Sequence, residues 1–136
     1  MSWAMISVIL FAFMFSHYGN HGLGDSYRIP ISHHNELRAI DSHAYIFKDD
    51  KSNTYNIDKF VLTDDFVYGT LDKFSEEKKT SYFVFDLKSK EIETFENETS
   101  YNHFLTSKKL DQDTERKEFY YYYNEYWNGW RFFLLP

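Results

Sequence analysis

Residues 81–96 read SYFVFDLKSKEIETFE, and the fold of the chain turns on this stretch. Its first arm, 81–87, is rich in aromatics around the β-branched Val84, and its second, 91–96, sets Ile92 and Phe95 among carboxylates. Such residues fit a pleated, half-buried surface, and Lys88-Ser89-Lys90 between the arms is polar and turn-like, so the stretch reads as a β-hairpin. A two-stranded hairpin alone is marginal in water and needs a cover. The cover follows directly. Asn97 or Thr99 can cap a helix, Glu98 suits its positive N-terminal end, and Lys108-Lys109 suits its negative C-terminal end. Tyr101, Phe104, Leu105 and Lys108 fall at i, i+3, i+4 and i+7, one face of that helix. Phe83 or Phe85 is therefore expected to share one core with Phe104.

Outward from this unit the chain reads as short strands between polar turns. Residues 27–31 (YRIPI) form an edge strand at best, because Pro30 has no N–H to donate to a ladder. Residues 42–48 (SHAYIFK) end at the turn-forming cluster 49–53 (DDKSN), and 55–57 alternate. Residues 59–62 and 66–71, parted by Thr63-Asp64-Asp65, read as a second hairpin. Hairpins in succession with one helix leave few parallel crossovers. The expectation is α+β: a mostly antiparallel sheet of about five to seven strands, with one helix near 98–109 packed on one face.

The N-terminal end is of another kind. No Asp, Glu, Lys or Arg occurs before Asp25, and residues 3–15 (WAMISVILFAFMF) are an almost unbroken apolar run. Such a stretch reads as a secretory leader or a membrane anchor. Spanning a bilayer core takes roughly 20 helical residues, so its length is short for a spanning helix and suits the apolar core of a leader. The positive flank and small-residue cleavage site of a signal peptide are missing, and the plainer alternative is a buried N-terminal helix of a cytosolic protein. Residues 19–24 (GNHGLG) follow as a flexible spacer. The chain thus divides into an apolar leader or anchor over 1–18, a spacer over 19–24 and one globular domain over 25–136. Leader, tether and compact domain, with residues 22–29 (GLGDSYRI) and 81–95, give a layout that resembles small bacterial envelope lipoproteins. That resemblance implies export to the bacterial cell envelope. Those proteins are lipidated on a Cys at the junction, and this chain has no Cys.

Without Cys the fold stands on packing alone, and 21% aromatic content supplies large side chains for it. Residues 119–136 carry one Glu and one Arg, so the whole net charge of −6 falls within 25–118. An acidic surface repels phosphate backbones, which argues against nucleic acid as a partner, and it lacks the basic face that holds a protein on anionic lipid.

Residues 119–136 (FYYYYNEYWNGWRFFLLP) contain ten aromatics. Asn128-Gly129 is a strong hairpin-turn signal because both central positions of such a turn need positive φ. Trp127 and Trp130 would flank it as a cross-strand pair, and the hairpin would complete the core. The functional alternative is an exposed platform of Tyr126, Trp127 and Trp130 for a glycan, a peptide or a membrane interface, because these rings are apolar at one end and can hydrogen-bond at the other. Disorder of this tail is a third reading.

Catalytic and metal signatures are sparse. His17 and His21 stand at i, i+4, but Gly19 and Gly22 oppose a helix there and no other ligand stands beside them. His33-His34 fit a loop, and their pairing with His43 depends on the fold. Asp111, Asp113 and Glu115 resemble half a calcium loop without its Gly or its bidentate Glu, and a solvated linker explains them. No nucleophile elbow, phosphate loop or zinc motif occurs. No catalytic residue, cofactor or metal is therefore expected. The expected role is a small exported or membrane-tethered, non-catalytic binding or accessory protein with a protein or glycan partner. An immunity-type protein that neutralises a toxin through its acidic surface is the alternative, and a small enzyme of unrecognised type is the second.

Overall fold

The computed structural model describes residues 2–17, 26–41, 43–48, 53–72, 81–128 and 131, with the backbone alone at 2, 11–17, 47, 48 and 53. The chain is α+β. Helix α1 (Ser2–His17) is followed by β1 (Ser26–Ile31), β2 (Asn35–Ile40), β3 (His43–Lys48), β4 (Asn53–Leu62), β5 (Phe66–Leu71), β6 (Tyr82–Asp86) and β7 (Glu91–Phe95). Helix α2 (Glu98–Ser107), the short β8 (Lys117–Glu118) and helix α3 (Phe119–Tyr126) complete the order. Strands β1 to β7 pair antiparallel in sequence order, a meander, and β8 adds to β4 just beyond the residues paired with β3.

The hairpin read from 81–96 is β6–β7, in register from Tyr82↔Phe95 to Asp86↔Glu91. Asp86 shapes its turn: Oδ1 accepts from the backbone N–H of Lys88 and Ser89, while Lys90 takes a left-handed φ of 58°. The helix also forms where its capping signals placed it. Asn97 Oδ1 accepts from Ser100 N at 2.9 Å, and Lys108 Nζ lies 5.6 Å from the centre of the Phe104 ring. The shared core expected of Phe83 or Phe85 with Phe104 does not form. Side chains alternate across a strand, so Phe83 and Phe85 enter one cluster with Ile29, Leu37, Ile46, Phe60 and Phe119. Val84, on the opposite face, joins Val61, Tyr68, Tyr101 and Leu105, against which Phe104 packs. The sheet therefore has two buried faces. Helix α2 covers one, and α3 closes the other.

Other expectations are refined. Residues 55–57 and 59–62 belong to one ten-residue strand, β4, with a bulge between Ile57 and Phe60. Gly69 lies opposite this bulge, where a Cβ would stand 2.1 Å from Lys59 O and 2.6 Å from Phe60 Cα, so the crossing backbone leaves room for hydrogen alone. Thr70 Oγ1 satisfies the displaced Lys59 backbone, donating to its O and accepting from its N–H at 3.2 Å. Strand β2 has no clear strand signature in the sequence, and β8 lies among the charged residues that follow Asp111.

The largest correction is at the C-terminal end. Tyr126 lies in a helix and Trp127 is its C-cap, so these two residues do not form a hairpin arm; Gly129 and Trp130 lie outside the described residues. Phe119, Tyr122, Tyr123 and Tyr126 stand at i, i+3, i+4 and i+7, and it is this face that packs on the sheet. Tyr27 of β1 meets Tyr120 and Tyr123 edge-on, with ring centres 5.4 and 5.3 Å apart, and Phe60 stacks on Tyr122 at 4.9 Å.

At the other end, α1 covers the apolar run, and its described side chains from Trp3 to Leu10 are all exposed. No helix among the described residues is long and apolar enough to cross a membrane. The spacer over 19–24 lies outside the described residues.

Candidate functional site

Helix α3, the outer half of β1 and the turn between β4 and β5 enclose a groove of about 620 Å³. Its apolar wall is Ile29, Pro30, Ile31 and Leu62, and its aromatic wall is Tyr122 and Tyr126. Ser32, Thr63, Asp64, Glu125 and Arg131 supply polar and charged groups around it.

The walls are held in place by the fold. Tyr122 hydroxyl donates to Phe60 O at 3.1 Å and accepts from Leu62 N at 3.3 Å, tying α3 to the end of β4. Burial pushes the pKa of this hydroxyl up, against the lowering effect of the Leu62 N–H. Thr63 makes a closed exchange with Phe66: its N–H and Oγ1 both donate to Phe66 O, and Oγ1 accepts from Phe66 N. That exchange fixes the turn carrying Asp64. Arg131 lies over the Tyr126 ring, its guanidinium carbon 4.7 Å from the ring centre, and its Nη1 donates to Tyr126 O at 3.3 Å. One face of Tyr126 is therefore backed by a cation, an arrangement that stiffens an aromatic wall.

Beside the groove, three turns meet at one end of the sheet. Asp65 Oδ1 lies 3.0 Å from Lys88 Nζ and 3.0 Å from His33 Nε2. Hydrogen bonds from Lys88 and then from His33 hold the Asp65 carboxyl below its usual range. His33 and His34 both occupy left-handed φ, 58° and 59°, in the turn joining β1 and β2. His43 lies at the opposite end of β2, where it lies 2.9 Å from Asp41 O and 3.9 Å from Asp72, so the fold does not bring these histidines together.

The residues singled out in the C-terminal stretch have distinct places. Tyr126 lines the groove. Trp127 is half-buried on the edge of β1, its Nε1 donating to Arg28 O at 3.0 Å. Trp130 lies outside the described residues, as does His21, and the side chain of His17 is not described. Asp111 spends its carboxylate on its own loop, accepting from Thr114 Oγ1 and from Asp113 N, while Glu115 pairs with Lys117. No cluster of three or more metal-ligating side chains occurs among the described residues.

A second hollow, about 540 Å³, lies at the start of α2 and is lined by Asp58, Asp72, Glu96 and Glu98 with Tyr82. Sequence reasoning named Tyr126 but missed Tyr122, Glu125 and Arg131. The signal for the first was available in the i, i+3, i+4, i+7 spacing from Phe119, and the Asn-Gly turn signal obscured it.

The site thus belongs to a curled antiparallel meander with a helix on each buried face. Comparison with protein-family models, with curated proteins and with solved structures finds no match to this chain.

Proposed function

We propose that this chain is a small, non-catalytic binding or accessory protein, exported or membrane-tethered, that holds a protein segment or a glycan in the groove against α3. The observation that carries the reading is the groove itself: apolar on one wall, aromatic on the other, with charges of both signs. Ligand sites have this balance, a mostly apolar surface with a few fixed polar groups. The Tyr122 hydroxyl is engaged by backbone on both sides, which favours holding a ligand over transferring protons to it. Tyr126 is the partner-binding residue this reading retains directly. Trp127 supports it from behind by fixing α3 to β1, and Trp130 is proposed as a further contact. The apolar circumference of α1 supports tethering, and the layout it shares with bacterial envelope proteins supports a cell-envelope location. The hollow of four carboxylates supports a second reading, an immunity-type protein that takes a basic toxin surface there.

Affinity capture from native membranes with the tagged full-length protein tests the first reading. Glu125→Arg should lose a partner that Tyr121→Ala retains, because Glu125 lines the groove and Tyr121 does not. A partner lost instead with Glu96→Lys and kept with Glu125→Arg would move the site to the acidic hollow. Loss of a captured glycoprotein on glycosidase treatment would identify the ligand as a glycan.

A further inference from the structure

The two edges of this sheet are finished differently. On β1 the registers direct the backbone groups of Tyr27, Ile29 and Ile31 toward β2, leaving those of Arg28 and Pro30 on the outer edge. Pro30 has no N–H, and the outward carbonyl of Arg28 accepts from the Trp127 indole at 3.0 Å. These are two devices by which an edge is closed to further strands.

Strand β7 carries neither device. Leu71 N donates to Ser81 O and Leu87 N to Asp65 O, so alternate residues of β6, namely Phe83 and Phe85, bond to β5. Tyr82, Val84 and Asp86 therefore bond to Phe95, Glu93 and Glu91, and the N–H and C=O groups of Ile92 and Thr94 point away from the sheet. Among the described residues no strand pairs with that edge. It is regular over its five paired positions, with no Pro and no bulge.

We propose that the β7 edge takes an extended segment of a partner protein as an additional antiparallel or parallel strand, and that the segment alternates basic and apolar side chains. This inference does not rest on the groove. The alternation follows from the two faces of β7. Glu91 and Glu93 are exposed on the α2 face, while Ile92 packs at the margin of the cluster beneath α3. A strand laid beside β7 sets every second side chain against the carboxylates and the others against Ile92. Main-chain hydrogen bonds supply affinity and the alternating side chains supply selectivity. Charge also disfavours a second copy of this chain in the two registers that use the middle of this edge. Antiparallel self-pairing centred on Glu93 sets Glu93 against its own copy, and centring on Ile92 sets Glu91 against Glu93, like charges that destabilise a cross-strand pair.

The test uses the full chain and a blocked peptide alternating lysine and valine, with its glutamate–valine counterpart as control, read by fluorescence anisotropy and amide hydrogen exchange. The lysine peptide is expected to bind, to slow exchange at Ile92 and Thr94, and to weaken as salt rises. Thr94→Pro removes an outward N–H without touching the β6 ladder, as Pro30 does on β1, and should weaken binding by about tenfold or more. Joint replacement Glu91→Lys and Glu93→Lys should reverse the preference toward the glutamate peptide and needs no backbone change. Unaltered affinity in either variant, protection confined to the groove at Tyr126, or a concentration-dependent dimer protected at Ile92 would overturn the proposal.

Discussion

Asn35, at the head of β2, and Leu87, just past β6, are joined by a hydrogen bond: Asn35 Nδ2 donates to Leu87 O at 2.8 Å. Neighbouring strands lie about 4.8 Å apart, so strands four places apart in a flat sheet would be roughly 19 Å apart. The direct contact means that the sheet curls until its far strands meet. Curling encloses Leu37, Ile46, Phe60, Val67, Phe83 and Phe85 in one interior without a helix over each strand, and α3 closes what remains. It also brings the turns carrying His33, Asp65 and Lys88 to one end, beside the groove.

Asn35 is the side chain to remove if this closure matters. Its amide also donates to Ser32 O at 3.0 Å and to His33 O at 3.3 Å, so it ties the strained β1–β2 turn to the β6–β7 turn. Asn35→Ala should cost about 1–3 kcal/mol in urea unfolding, because a partly buried carbonyl loses its donor. A change below about 0.3 kcal/mol would show that the curl does not depend on this bond.

Gly69 makes a sharper demand. Its absent Cβ leaves space that the β4 bulge occupies, and the obstructing atoms are backbone, which cannot rotate aside. Gly69→Ala should destabilise by about 3 kcal/mol or more, the upper end of overpacking costs. Thr70→Val, which keeps the shape and removes the two hydrogen bonds to Lys59, should cost less, and urea midpoints of both variants would rank them.

Helix α2 ends in a double hydrogen bond, Leu110 N to Leu105 O at 2.9 Å and Lys109 N to Thr106 O at 3.0 Å. This termination needs a left-handed residue, and Lys109 supplies it at φ 57° where glycine is usual. Lys109→Gly should raise stability by about 1 kcal/mol, since a non-glycine residue is strained there. Lys108→Gly, one residue earlier at φ −89°, should lower it, and thermal unfolding of the pair separates conformational relief from loss of charge.

What the sequence disclosed was local. The turn at Lys88-Ser89-Lys90 and the cap at Asn97 involve residues within four positions of one another, and both formed where the chemistry placed them. The partnership of Phe83 with Phe104 failed on parity: a single step along β6 moves a side chain to the opposite face, and no pattern in 81–87 says which face α2 covers. At the C-terminal end two local signals competed. Asn128-Gly129 favoured a turn, while the spacing of Phe119, Tyr122, Tyr123 and Tyr126 favoured a helix, and packing on Tyr27 and Phe60 decided for the helix. The groove itself was out of reach, because Ile29, Pro30 and Ile31 of β1 line it together with Leu62 of β4, three strands away in the sheet.

Tyr101 offers a stability test with a sign. Its side chain is fully buried, it stacks on Tyr82 at 4.9 Å between ring centres, and its hydroxyl makes no hydrogen bond among the described residues. The Arg116 guanidinium lies over the Tyr101 ring, 5.3 Å from its centre, and favours the ionised phenol. Desolvation dominates that charge and pushes the Tyr101 pKa up to about 12. The unfolded chain ionises this group near pH 10, so above that pH the unfolded state loses a proton that the folded state keeps. The stability tied to the neutral phenol is whole below pH 10, and it is lost as pH rises toward about 12, at up to roughly 1.4 kcal/mol per pH unit. Tyr101→Phe removes both the orphan hydroxyl and this titration. It should stabilise the protein by about 1 kcal/mol or more at neutral pH, because a buried polar group without a partner carries its desolvation cost. It should also make the urea midpoint fall less steeply than that of the parent between pH 10 and 12. A variant less stable than the parent at pH 7, with the same alkaline slope, would mean that the hydroxyl has a partner in the native protein and does not titrate on unfolding.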